Sequence, residues 1–161
     1  MPKIVESVFV KSAYSLAPQF LQDYWKKIES EHDGKVILDL EASLPDVGVP
    51  ADVKLAKRAV ADFAPIPDEN HLEYHLAVKW VPEGSGPHPT FVGLFIIGED
   101  EDYGSCRLSV VGEYKPPLGA VGILFDAAVG RQIARATVRK LLYQLRDFLE
   151  SRYVLEARHG G

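Results

Sequence analysis

Apolar residues recur along this chain with two different periods, and the changes of period divide it into elements. Ile4 to Val10 is β-branched and aromatic with Glu6 and Ser7 inserted, a composition that suits a strand. With Glu6 toward water, Val5 and Phe9 face inward. Ala17, Phe20, Leu21, Tyr24, Trp25 and Ile28 then recur at three- and four-residue spacing, with Ser15 as a cap and Asp33-Gly34 as a stop, which predicts an amphipathic helix. From Lys35 the period is two: Val36, Leu38, Leu40, Ala42 and Leu44 alternate with Lys35, Asp39, Glu41 and Ser43, a half-buried strand. Residues 52 to 63 read as a third strand, in which Val53, Leu55, Ala59, Ala61 and Phe63 share one face with Lys57.

The most regular alternation is at 71 to 81, where Leu72, Tyr74, Leu76, Val78 and Trp80 oppose His71, Glu73, His75 and Lys79. Residues 90 to 98 are apolar on both faces, which predicts a strand covered on both sides or partly by a partner. Residues 105 to 114 form the last strand, with Cys106, Leu108, Val110, Gly112 and Tyr114 on one face. Turns fall at Pro45 to Pro50, Pro82 to Pro87 and Glu99 to Gly104. Pro116 to about Tyr153 is a second helical region, opened by prolines that are tolerated only near a helix start. Gly119, Gly122 and Gly130 predict a short leading helix or a kink before a main helix over 129 to 153, about 37 Å long. Ala134, Thr137, Val138, Leu141, Leu142, Leu145, Phe148 and Leu149 give that helix a broad apolar face. The inner side of the sheet is the one large surface available to bury it. The fold class is therefore α+β: a curved antiparallel sheet of about six strands around a long C-terminal helix, with one N-terminal helical segment after the first strand.

The length of 161 residues fits a single domain over 1–161, with a core at about 3–153 and a frayed tail at 154–161. The longest apolar stretch, Phe91 to Ile97, is far shorter than the ~18 to 20 residues that span a bilayer, so no membrane insertion is expected. Met1 to Glu6 lacks the start of a secretory signal, and cytoplasmic residence is the expectation. The single cysteine cannot form an internal disulfide, and the formal net charge of −5 argues against nucleic acid as a partner.

Candidate chemistry is sparse. His71, Glu73 and His75 share a strand face, but the two histidines stand about 13 Å apart along it, too far to converge on one ion. The acidic run Glu99 to Asp102 lacks the pattern of a calcium loop. Neither a metal nor another cofactor is expected. Cys106 among Leu108 and Val110 reads as an inert core thiol, and Gly84-Ser85-Gly86 is not a nucleophile elbow. Lys57 on an inward face would need a carboxylate, a carbonyl or a ligand to offset its desolvation, and a bulge near Ala56 that turns it outward is the preferred account. Tyr74, Trp80 and Tyr114 fit either plain core packing or polar tips in an apolar pocket. Arg131, Arg135 and Arg139, with Arg146 beyond, form a ridge opposite the apolar face, met by solvent or by acidic groups elsewhere in the chain.

The stretch Gly112-Glu113-Tyr114-Lys115-Pro116-Pro117-Leu118-Gly119-Ala120-Val121-Gly122, followed by Asp126, Arg131, Ala134 and Thr137, resembles the junction of last strand and helix in bacterial members of the helix-grip (SRPBCC) superfamily. That superfamily includes polyketide cyclases, plant pollen-allergen-like proteins and START lipid-transfer domains. The order of elements resembles it over nearly the whole chain, and the specific match covers about residues 89 to 150. The resemblance implies a fold with an apolar cavity and no particular reaction. The function expected is binding of a small hydrophobic molecule, lipid-, polyketide- or aromatic-like, between sheet and C-terminal helix and without catalysis. Leu38, Leu40, Lys57, Tyr74, Leu76, Trp80, Phe91, Phe95, Leu108, Val110, Tyr114, Leu141 and Leu145 are the candidate ligand-binding residues. A polyketide cyclase or aromatase-like enzyme is the alternative, and a protein interaction module a further one, with homo-oligomerisation left open.

Overall fold

The computed structural model describes residues 3–31, 36–43, 54–66, 73–83, 90–100, 104–115 and 127–159. In chain order the elements are β1 (Lys3–Val10), α1 (Ala17–Glu31), β2 (Val36–Ser43), β3 (Lys54–Ile66), β4 (Glu73–Pro82), β5 (Thr90–Glu99), β6 (Cys106–Lys115) and α2 (Ala127–His159). The strands form one antiparallel sheet in the order β1-β6-β5-β4-β3-β2. The expected turns at 45–50 and 84–87, the acidic tip at 101–103 and the leading helix at 116–126 lie outside the described residues. So do Leu44, Val53, His71 and Leu72.

The sheet curls around α2. Laid flat, its two end strands would stand about 24 Å apart, five strand spacings of about 4.8 Å. Yet α2, about 10–12 Å across, packs closely against β1 at one end of the sheet and β2 at the other. Its buried positions Ala134, Val138, Leu141, Leu142, Leu145 and Leu149 supply the contact, following the predicted stripe. The inner face answers with Ile4, Leu38, Leu76, Trp80, Phe91, Phe95, Leu108, Val110 and Tyr114, all buried in one core cluster. This is the helix-grip arrangement. α1 closes one side and is fastened to α2 by Arg152, which donates to Asp23 at 3.1 Å and lies over the Phe20 ring, and by the edge-on pair Tyr24–Phe148.

Several expectations are corrected. Val5 and Phe9 do not face inward: they are 65% and 45% exposed, while Ile4 and Val10 are buried. Glu6 takes the inner side of β1 because Arg135 (2.9 Å) and Arg139 (3.2 Å) of α2 bracket its carboxylate. Within the chain β5 is covered on one face: Phe91, Phe95 and Ile97 are buried while Val92 is 47% exposed, so of the two expected alternatives only cover by a partner is left for its second face. The register of β2 with β3 runs unbroken from Ser43↔Lys54 to Val36↔Ala61, so no bulge interrupts Ala56 or Lys57. β3 also continues to Ile66 rather than ending at Phe63. Its Pro65 is tolerated because β2 pairs only as far as Ala61, leaving that side of β3 without a described strand partner. α2 is continuous through Gly130 and runs past Tyr153 to His159, so no break falls at Gly130, and the expected leading helix lies outside the described residues. One glycine costs a helix only about 1 kcal/mol, less than the packing of its apolar stripe returns.

Candidate functional site

Beyond Ala61, β3 has no described partner in β2, and Trp25 of α1 meets its inner side at Phe63. A cleft of about 430 Å³ opens between α1 and β3–β4. Its floor is aromatic and aliphatic. The Trp25 ring, from the buried face of α1, stacks on Phe63 of β3 with centroids 3.9 Å apart and planes 19° off parallel. Phe95 lies behind both rings at 5.9 and 6.1 Å, and Ala61 and Leu76 complete the wall. The polar groups, Gln22, Lys26, Glu29 and Asp62, stand around it on more exposed positions. Gln22 donates from Nε2 to the Tyr74 hydroxyl at 3.2 Å, tying α1 to β4.

A second cleft of about 470 Å³ lies between α1, β2 and α2, with Tyr24, Ile28, Leu38 and Leu141 among its lining. A third, of about 510 Å³, lies on the solvent side of α2 beside Arg135, Arg139 and Tyr143. Both guanidiniums are engaged by Glu6, and its hydrogen bond and negative charge raise the Arg139 pKa above its already high value.

The sequence-predicted residues divide among these places. Leu76 borders the first cleft, and Leu38 and Leu141 border the second. Tyr74 is held by Gln22, and Phe95 backs the Trp25–Phe63 stack. Trp80 and Phe91 stack on each other at 4.4 Å, and with Leu108, Val110, Tyr114 and Leu145 they belong to the buried core cluster. Leu40 and Lys57 are directly opposed in the β2–β3 register. Sequence reasoning placed Trp25 and Phe63 on apolar faces but not in a cleft. Periodicity says which side of an element a residue takes, and it is silent on which inner residues meet across 38 positions of chain.

No group of three or more metal-ligating side chains occurs among the described residues. His75 meets Glu73 at 3.4 Å as a pair on the outer face. Cys106 is fully buried, and burial, reinforced by the carboxylates of Asp100 and Glu150, pushes its thiol pKa up to about 12. A thiol so protonated is no nucleophile.

No protein-family model and no curated protein matches the chain. Among solved structures it is similar to the protein TTHA0849 from Thermus thermophilus, with 12% identity over 94% of this chain and 99% of that one and a TM-score of 0.54. It is similar also to a conserved protein from Geobacillus kaustophilus, with 15% identity over 96% and 97% and a TM-score of 0.52. A START superfamily protein from Mycobacterium smegmatis aligns at 16% identity over 95% and 97%, with a TM-score of 0.49. At such identities the first two likenesses show the fold alone, the helix grip described above. No described helix is long and apolar enough to cross a membrane.

Proposed function

We propose that the chain binds a small hydrophobic molecule, lipid-, polyketide- or aromatic-like, in the cleft between α1 and β3–β4, and performs no chemistry on it. The observation that carries this reading is the segregation of the cleft: an apolar floor built on the Trp25–Phe63 stack, with its polar side chains at more exposed positions around it. Its volume falls in the usual range for small-molecule sites, roughly 300–1,000 Å³. An enzyme would need an acid, base or nucleophile directed at the bound molecule. The cleft lining supplies Lys26, Glu29 and Asp62 only on exposed positions, and the buried thiol of Cys106 is not among its residues. The reading keeps the expected ligand class but moves its seat. The sequence pointed to the space between sheet and C-terminal helix, whereas this cleft is walled by the N-terminal helix.

Native mass spectrometry of protein purified from its own host tests the proposal. The expected result is a population carrying one small organic molecule, released by gentle activation. Recovery of the bare polypeptide mass alone counts against it.

A further inference from the structure

The outer face of the sheet, on the side away from α2, carries charges in a specific order, with Asp62 at its β3 edge also on the rim of the cleft. The strand register aligns Lys3, Glu113, Val92, Lys79 and Asp62 in one row across β1, β6, β5, β4 and β3. The neighbouring row is wholly apolar: Val5, Val111, Leu94, Ala77 and Ala64. Further along, Arg107 and Glu73 flank Gly98. Val5, Val92 and Val111 are exposed, an apolar patch of the kind that marks an interaction surface.

From these rows we infer that the outer face docks against a second copy of this chain, with the two-fold axis lying along β5. The signs in the charged row run positive, negative, neutral, positive, negative. Turned about β5, the row presents the opposite sign at every charged position. Glu113 then faces Lys79 of the second copy and Val92 faces its own counterpart, with Lys3 and Asp62 matched in sign further out on β1 and β3, where the sheet curls away. The same rotation sets Arg107 against Glu73 and Leu94 against Leu94. Had the axis lain across the strands along this row, each charge would meet itself.

Two further facts favour a second copy. The chain has a net charge of −5, which drives copies apart. Over these rows, however, Lys3, Lys79 and Arg107 balance Asp62, Glu73 and Glu113, so the rows themselves carry no net charge. Lys3 stands beside Glu113 and Lys79 beside Asp62 in the sheet, yet none of the four joins an ion pair among the described residues, and all stay available to a partner. Sheets stack face to face at about 10 Å with strands nearly aligned, the geometry this axis requires. Because the sheet curls away from the contact, the interface centres on β4, β5 and β6. It is therefore small and its dimer weak, with dissociation in the upper micromolar range on the order of 10⁻⁴ M.

Sedimentation velocity of the full chain, from about 10 μM to about 1 mM protein in low salt, tests the inference. The expected result is a monomer–dimer equilibrium that Leu94→Asp abolishes and Lys79→Glu weakens at least about tenfold. The double reversal Lys79→Glu/Glu113→Lys restores association, since it re-forms the same pair with its signs exchanged. A monomer throughout the range overturns the inference. So does a dimer indifferent to these changes, or one that the double reversal fails to recover.

Discussion

Glu6, held on the inner side of β1 by Arg135 and Arg139, and Cys106, fully buried in β6, are opposite ways of placing an ionisable side chain away from water. The thiol was legible because its neighbours at two-residue spacing, Leu108 and Val110, share its buried face. Glu6 was not, because β1 is apolar on both sides, with Ile4, Val8 and Val10 against Val5 and Phe9. Its inward placement is set by two arginines 129 and 133 positions away. Local alternation carries no trace of them, and a carboxylate whose side chain keeps only 12% exposure holds its place through those charge-assisted bonds. Cys106 carries a pH signature. Its unfolded thiol titrates near 9.0 and its folded thiol near 12. Between those values the unfolded chain has released a proton that the folded chain retains, so stability falls as pH rises through the window. The contribution is complete below about pH 9. Thermal melts of the wild type and Cys106→Ala, compared at about pH 8 and about pH 10.5, should show the wild type losing more stability than the variant. An equal loss in both would contradict the burial argument.

Among the elements, β5 and β6 depend on a pair of glycines. Gly93 faces Gly112 across the ladder, and Phe91 lies flat over them while stacking on Trp80. A Cβ on Gly112 would come within 2.5 Å of both Phe91 Cζ and the Val92 carbonyl oxygen, and backbone cannot yield as a flexible side chain can. Gly112→Ala is expected to destabilise the fold by about 1–3 kcal/mol, read as a lower denaturant midpoint with the slope unchanged. An unshifted midpoint would refute the close packing. The six strands and two main helices were legible because their periods of two and of three to four are unmixed over most of the chain. The failures fall where a second cause intervened. β5 read as covered on both sides or partly by a partner because Val92, Leu94 and Ile96 are apolar, and the pattern does not separate a face covered within the chain from one left to a partner. Gly130 looked like a division because its intrinsic cost is visible in sequence, whereas the tertiary packing that offsets it is not.

For the whole molecule, a single helix touching both end strands makes the sheet a grip, and α1 decides where the remaining space opens. The general architecture followed from an apolar helix face that needed a large partner. The position of the cleft did not, since it depends on Trp25 meeting Phe63 across 38 positions of chain. Trp80 and Phe91, among the expected lining residues, stack on each other within the buried cluster. The most direct measurement is a fluorescence titration with N-phenyl-1-naphthylamine, an uncharged aromatic probe that lights up in apolar sites. Saturable one-to-one binding is expected, weakened at least about tenfold by Phe63→Arg in the cleft and unchanged by Val92→Arg on the outer face. Absence of saturable binding, or equal binding by Phe63→Arg and wild type, would contradict it.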